Sequence, residues 1–280
     1  MEIIKTLEGM KIAQRRRAGQ RVGLVPTMGY LHDGHLSLVE KSLSTCDITV
    51  VSIFVNPKQF RPNEDLDTYP VDLKRDIKLL EDLGVAILFL PKNADMYPEG
   101  YQTYVQVEKI TERLCGKSRP GFFRGVATVV LKLFNTVQPD VAFFGEKDRQ
   151  QLAVIQKMVQ DLNLDIQIEG LPIVRDPDGL ASSSRNLYLS PQARQSALCL
   201  QEALQLAQRR VAAGETSAHK IRSAMQDVIE AHPDTRVDYI SVCDPLQFNE
   251  LEVIQGKTLI ALAVHVGQTR LIDNCLIERI

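Results

Sequence analysis

Residues 25–40 read VPTMGYLHDGHLSLVE. An apolar run ends, a turn containing Gly29 follows, two histidines stand three apart, and an amphipathic segment begins. Val22 to Val25 reads as a buried strand, and Leu36 to Ser44 has helical period, so the stretch is a strand, a turn and a helix in sequence. Outward from it the same alternation recurs. Further strand-like runs occur at Ile48 to Val55, Val85 to Leu90, Val141 to Phe144 and Ile166 to Val174. Between them lie helical patterns at Val71 to Leu83, Val126 to Val137 and Arg149 to Leu162, the first carried by Leu73, Ile77, Leu80 and Leu83 with Gly84 as a cap. Continuous apolar strands alternating with helices predict a mostly parallel sheet covered on both faces, a Rossmann-like α/β architecture over residues 1–175.

After Arg175 the texture changes. DPDGLASSSRN is polar and rich in Gly and Ser, the composition of a mobile loop or a boundary, and alanine-rich helical stretches follow at 191–213 and 216–231. Strand candidates at 236–242, 258–266 and 269–278, the last two joined by a short turn at Gly267, complete a small α+β second domain over 176–280 with an antiparallel sheet.

Composition narrows the function classes. The 280 residues are 44% hydrophobic, enough for a substantial core, and 33 basic against 35 acidic side chains leave a net charge of −2. That balance argues against a nucleic-acid or membrane-surface binder working by bulk charge. The amino terminus lacks the apolar core of a signal peptide and no stretch is long enough to span a membrane, so a cytoplasmic protein is expected. Cys46, Cys115, Cys199, Cys243 and Cys275 are odd in number, scattered and never in a CxxC pair, which reads as reduced core thiols.

Ligands of open α/β sheets bind outside the carboxyl ends of the strands. Four predicted strand ends run into uncommon polar chemistry: PTMGYLHDGH, NPKQF, GEKDRQQ and RDPDGLASSSRN. His32 and His35 share one side of a helix start, where amide groups and imidazoles together suit a phosphate; the plain alternative is a capping pair, and zinc lacks a third ligand. Gly29 and Gly34 suit close approach of backbone to a nucleotide. Lys147 is a point charge for an anionic transition state, and Asp148 suits a ribose or a neighbouring cation. Ser183, Ser184 and Arg185 suit closure over phosphates from a loop. Asn56, Gln59 and Gln151 are neutral amides for a small hydroxylated substrate, with Met28 and Phe60 as an apolar wall. Taken singly, each of these is an ordinary polar surface feature; their recurrence at successive strand ends is what favours a site.

VPTMGYLHDGH, FVNPKQF, FFRGVATVVLKLFN, FFGEKDRQQL and VRDPDGLASSSRN, in that order, resemble the pantothenate synthetase (pantoate–β-alanine ligase) family over nearly the whole chain. HDGH also resembles the histidine signature of the wider HxGH nucleotidyltransferases. The resemblance implies attack of pantoate on the α-phosphorus of ATP to give pantoyl adenylate and pyrophosphate, then displacement of AMP by β-alanine. It implies ATP as substrate with Mg2+, the residue that binds the metal remaining unknown, and a cytoplasmic homodimer that binds neither nucleic acid nor membrane. Carried over, His32, His35, Lys147, Ser183, Ser184 and Arg185 serve catalysis, with His35 as proton donor. Met28, Gly29, Gly34, Gly145, Lys147, Asp148, Val174 (through its backbone) and Ser182 join the histidines, Ser183, Ser184 and Arg185 at ATP, while Asn56, Gln59, Gln151 and Met28 hold pantoate or β-alanine. The second domain acts as a lid in this reading. Ser182 and Phe122 depart from the family's usual Met and His, and Thr68 and Val71 from its usual run there. Two rivals remain at this stage, an adenylyltransferase acting on a phosphorylated partner and a noncatalytic nucleotide or RNA binder. The first would want more cations where this sequence offers amides.

Overall fold

Strands β1 (Glu2–Ile4), β2 (Val22–Thr27), β3 (Ile48–Ile53), β4 (Ile87–Phe89), β5 (Val141–Gly145) and β6 (Gln167–Leu171) form one sheet in the order β1-β4-β3-β2-β5-β6. Every neighbouring pair is parallel. This is seen in a computed structural model that describes residues 1–17, 19–62 and 64–279. By its contacts the chain parts into two units: residues 1–108, 119–146 and 151–172, and residues 109–118, 147–150 and 173–280.

The first unit is Rossmann-like, as the alternation predicts. Val25, Val51, Leu88 and Phe143 are buried in one core with Leu38 and Val39 of α2 (Asp33–Thr45) and Leu80 of α3 (Leu73–Asp82). α1 (Leu7–Arg15) precedes these helices in the chain. The alternate residues Leu24, Val50, Phe89 and Ala142 are buried as well, so the pleat presents apolar side chains to both faces. After the short α4 (Asn93–Met96) and α5 (Leu114–Ser118) comes α6 (Phe122–Val137), which packs against β2 and α1. α7 (Arg149–Asp161) connects β5 to β6. Strand order reverses at β2, which pairs with β3 on one side and with the much later β5 on the other. Such a switch point opens a crevice at the carboxyl ends of the strands.

β1 and α1 are absent from the sequence reading. β1 has only Ile3 and Ile4 between Glu2 and Lys5, too short an apolar run to register, and is fixed by pairing to β4; α1 is capped by the Thr6 hydroxyl, which accepts from Gly9 N at 3.1 Å.

In the second unit β7 (Thr235–Cys243), β8 (Gly256–Val266) and β9 (Thr269–Arg279) make an antiparallel sheet with β8 in the middle. α8 (Pro191–Ala197), α9 (Cys199–Ala212) and α10 (Ala218–Glu230) supply Ala197, Leu200, Leu204, Ile221 and Met225 to a core shared with Val242, Ile260, Leu262 and Val264. The single helix expected over 191–213 is broken at Leu198, whose N–H tightens onto Gln195 O at 3.2 Å; neither Gly nor Pro marks the break. All five cysteines are free, and burial pushes the thiols of Cys199, Cys243 and Cys275 up to about 12. No helix among the described residues is long and apolar enough to cross a membrane.

One close approach shapes the first unit. At Gly125 of α6 a Cβ would lie 2.1 Å from Lys58 O and 2.8 Å from Gln59 N, so the helix can seat against the 3-10 turn Pro57–Gln59 only without a side chain there. Gly125→Ala must push the helix off this turn, and we expect it to lower stability by about 1–3 kcal/mol in chemical denaturation; an unchanged midpoint would show that the turn yields instead.

Candidate active site

β2 ends at Thr27, whose hydroxyl donates to Ser52 O of β3 at 2.9 Å and accepts from Gly29 N at 3.2 Å. Gly29 (φ +86°) and Tyr30 (φ +49°) are both left-handed, a turn that costs energy at the tyrosine. What holds it is Asp76 of α3. Its carboxylate accepts Tyr30 N at 2.8 Å and Leu31 N at 2.9 Å, and the side chain is 1% exposed. Burial raises its pKa, while the Leu31 and Tyr30 amides and Arg75 oppose the rise. Arg75 lies 3.8 Å from that carboxylate and stacks over the Tyr30 ring. The sequence reading missed Asp76, although a signal exists: it is an acid set in the apolar stripe of Leu73, Ile77 and Leu80.

The turn delivers His32 as the residue before α2, in extended conformation, and its imidazole does not cap the helix. The amides of His35 and Leu36 turn back to the His32 carbonyl at 2.7 and 3.0 Å, and the positive amino end of this 13-residue helix carries no cap from the His32 side chain. His32 and His35 stack with ring centroids 4.0 Å apart, each Nδ1 buried. Gly34 lies between them in the first turn. The predicted pairing of the two imidazoles is therefore met in space.

At the end of β3 the amides form a row. Tyr97 OH donates to Asn56 Oδ1 at 2.8 Å; Asn56 Nδ2 donates to Gln59 Oε1 and to Gly125 O, each at 3.1 Å; and Gln59 Nε2 points at Met28 Sδ, 2.8 Å away. Asn56 is 1% exposed and also caps the turn below it, accepting Lys58 N at 3.2 Å. Met28, Asn56 and Gln59 are thus brought together as the sequence suggested, and Tyr97 is an addition it did not. Phe60 packs edge-on against Tyr69. Gln151 lies on another element, half-buried in the first turn of α7, and Gly145 closes β5 opposite Leu171.

In the second unit Lys147 and Asp148 belong to the 3-10 turn Glu146–Asp148, and the Lys147 carbonyl accepts Asn274 Nδ2 at 3.0 Å. Residues 174–186 are more ordered than their composition suggests. Ser182 N donates to Val174 O at 3.0 Å, Arg175 bridges Ala181, and the Asp176 carboxylate accepts Ser182 Oγ at 2.5 Å, Asn186 Nδ2 at 3.2 Å and Arg194 Nη2 at 2.7 Å. A hydrogen bond from Arg194 holds the Asp178 carboxyl below the usual range. Ser183 caps the short 3-10 helix Ser184–Tyr188, accepting Arg185 N at 3.3 Å, and Ser182 and Ser184 are buried. A polar composition reads as mobile only when its partners are unseen; here acidic residues within the loop and Arg194 on α8 supply them.

The pantoate-beta-alanine ligase family model matches residues 2–276. The chain belongs to that family. It is an enzyme of it, a ligase. A pantothenate synthetase of Acetivibrio thermocellus is 54% identical over 280 residues, covering 99% of this chain and 100% of that one. The crystal structure of a pantothenate synthetase from Thermus thermophilus superposes with a TM-score of 0.93 at 46% identity, covering 98% and 99% of the two chains. That of a pantoate-beta-alanine ligase from Francisella tularensis, complexed with beta-gamma ATP and beta-alanine, gives 0.82 at 35% identity over 99% and 97%. Both domains of the family's fold are present in this chain.

Replacing Asp76 by Ala strips the acceptor from two backbone donors, and we expect a loss of about 2 kcal/mol or more in stability together with faster hydrogen exchange at Tyr30 and Leu31. Asp76→Asn keeps one acceptor but turns an N–H toward the other amide, so it too should melt below the unaltered protein. Unchanged exchange at both amides would remove Asp76 from the control of this turn.

Proposed function

We propose that this chain ligates pantoate and β-alanine to pantothenate at the expense of ATP through pantoyl adenylate, releasing pyrophosphate and AMP. The observation that carries the reading is the pairing of two unlike sites at adjacent strand ends: stacked imidazoles at an open helix start after β2, and a neutral amide row after β3. The first suits phosphoryl oxygens and the second a small hydroxy acid.

The chemistry asks for little more. A carboxylate is already a nucleophile, so adenylate formation needs alignment with the α-phosphorus and neutralisation of charge, not a serine or thiolate. His32 and His35 hydrogen-bond the phosphates, with His35 as the proton donor, and the amino end of α2 adds its dipole. Lys147 places a charge on the developing pentacovalent centre, while Ser183, Ser184 and Arg185 bind phosphoryl oxygens and Asp148 the ribose. Gly29, Gly34, Gly145, Val174 and Ser182 meet the nucleotide, and Met28, Asn56, Gln59 and Gln151 the acid. In the second half-reaction the β-alanine amine attacks the mixed anhydride carbonyl, the C–O bond to AMP breaks, and the amine proton is lost. Mg2+ would travel with ATP, held mainly through the phosphates and water rather than by many protein ligands. The reading includes a cytoplasmic homodimer.

Product analysis tests the order of events. With ATP and pantoate alone pyrophosphate should appear in a single turnover, whereas AMP should require β-alanine; AMP release without the amine would overturn the ligase scheme. Lys147→Ala should slow pyrophosphate release by about a hundredfold or more, the effect of one preorganised charge worth ~3 kcal/mol. Gln151→Ala should raise KM for pantoate more than for ATP, and an equal rise in both would take Gln151 out of the acid pocket.

A further inference from the structure

Two residues of β9 connect to both of the second unit's proposed phosphate-binding segments, Asn274 directly through its side-chain amide to the Lys147 carbonyl and Asp273 indirectly through Arg175. Asn274 Nδ2 donates to Lys147 O at 3.0 Å, and Asn274 N donates to Asp273 Oδ1 at 2.8 Å. The same carboxylate takes the Arg175 guanidinium in a forked pair, Nη1 at 2.7 Å and Nη2 at 3.1 Å. Arg175 in turn fixes the base of the serine loop: its Nη1 also donates to Gly179 O at 3.1 Å, and its backbone bridges Ala181, next to Ser182. Asp273 is 2% exposed and Asn274 7%, on a strand whose register against β8 is continuous from Thr269 to Arg279. An acid in that place is uncommon, because Leu271, Cys275 and Ile277 on the same face belong to the apolar core. A buried carboxylate bound in two places by a guanidinium defines direction as well as distance.

We infer that Asp273 and Asn274 are positioning residues of the ligase, which set the Lys147 turn and the Ser183–Arg185 loop in fixed relation through Asn274 Nδ2 and Arg175. Neither side chain touches the reacting atoms. The inference rests on the reading above, in which Lys147 and the serine loop act on ATP. Removal of the Asn274 amide frees the Lys147 carbonyl, and the ammonium drifts with the backbone that carries it. Removal of the Asp273 charge loosens the root of the serine loop.

The test is a double-mutant cycle on single-turnover pyrophosphate release with saturating ATP and pantoate. Asn274→Ala is expected to slow this step about ten- to a hundredfold, the penalty of small misplacement, and to leave KM for β-alanine within about twofold of the unaltered enzyme. In the Lys147→Ala background Asn274→Ala should slow the step no further, since its effect passes through Lys147. A full additional loss in that background would mark Asn274 as merely structural and overturn the inference, as would a single mutant within about twofold of normal. Should Asn274→Ala lose its cooperative unfolding transition, Asn274→Asp, nearly isosteric but without the amide donor, is measured in its place and read by the same criteria. Asp273→Asn, which retains an acceptor for Asn274 N but not the charge for Arg175, should raise KM for ATP; an unchanged value removes Asp273 from the proposal. Normal turnover of Lys147→Ala alone would instead sink the underlying assignment of Lys147, a result separable from all of these.

Discussion

A single buried carboxylate holds the turn on which the candidate site is built. Asp76 is nearly inaccessible, and a desolvated anion would cost several kcal/mol without partners. Its partners are the amides of Tyr30 and Leu31, which belong to a left-handed turn that would itself be unstable without an acceptor. Each strain answers the other. The turn then fixes the entry of the chain into α2, and with it the stacking of His32 on His35. The order of cause runs from α3 to a loop, from the loop to a helix start, and from the helix start to two imidazoles.

The second unit uses the same device twice. Asp176 gathers Ser182, Asn186 and Arg194, and Asp273 gathers Arg175 and the Asn274 amide. In each case an acid inside or beside a polar loop replaces the apolar packing that the loop's composition cannot supply. The serine segment is consequently held by charge-assisted hydrogen bonds at both ends of its run.

Legibility in the sequence followed burial. Strands β2 to β5 were readable because a parallel sheet covered on both faces leaves continuous apolar runs, β6 at the sheet edge because the apolar residues around it, Ile166, Ile168 and Leu171 to Val174, mark it despite its partial burial, and α3 because its stripe repeats at steps of three and four. β1 escaped because its only two apolar residues, Ile3 and Ile4, stand between Glu2 and Lys5, whereas β4, equally short, lies in the apolar run Val85 to Leu90; the break at Leu198 escaped because it rests on a backbone hydrogen bond in place of a breaker residue. Within the site, residues that advertise chemistry at strand ends, His32, His35, Asn56 and Gln59, were legible and are found in contact as pairs. The residues that hold them were not. Asp76 and Asp273 share one trait, an acid in a buried position whose neighbours on the same face of the helix or strand are apolar, and a periodic pattern does not single out such an acid.

The row from Tyr97 through Asn56 to Gln59 ends on a thioether. Each hydroxyl or amide in it has its direction set by the one before, and the final N–H rests against sulfur, among the feeblest acceptors a protein offers. Under the proposed assignment of Gln59 to the acid, an incoming oxygen would meet a donor already aimed and weakly engaged. Exchange of sulfur for oxygen gains enthalpy while releasing almost nothing, whereas a molecule with only methyl groups at that place leaves the N–H with its thioether and gains no such bond. On that assignment, selectivity would be stored as orientation before any ligand arrives, and oxidation of Met28 to its sulfoxide, a far better acceptor, would erase it.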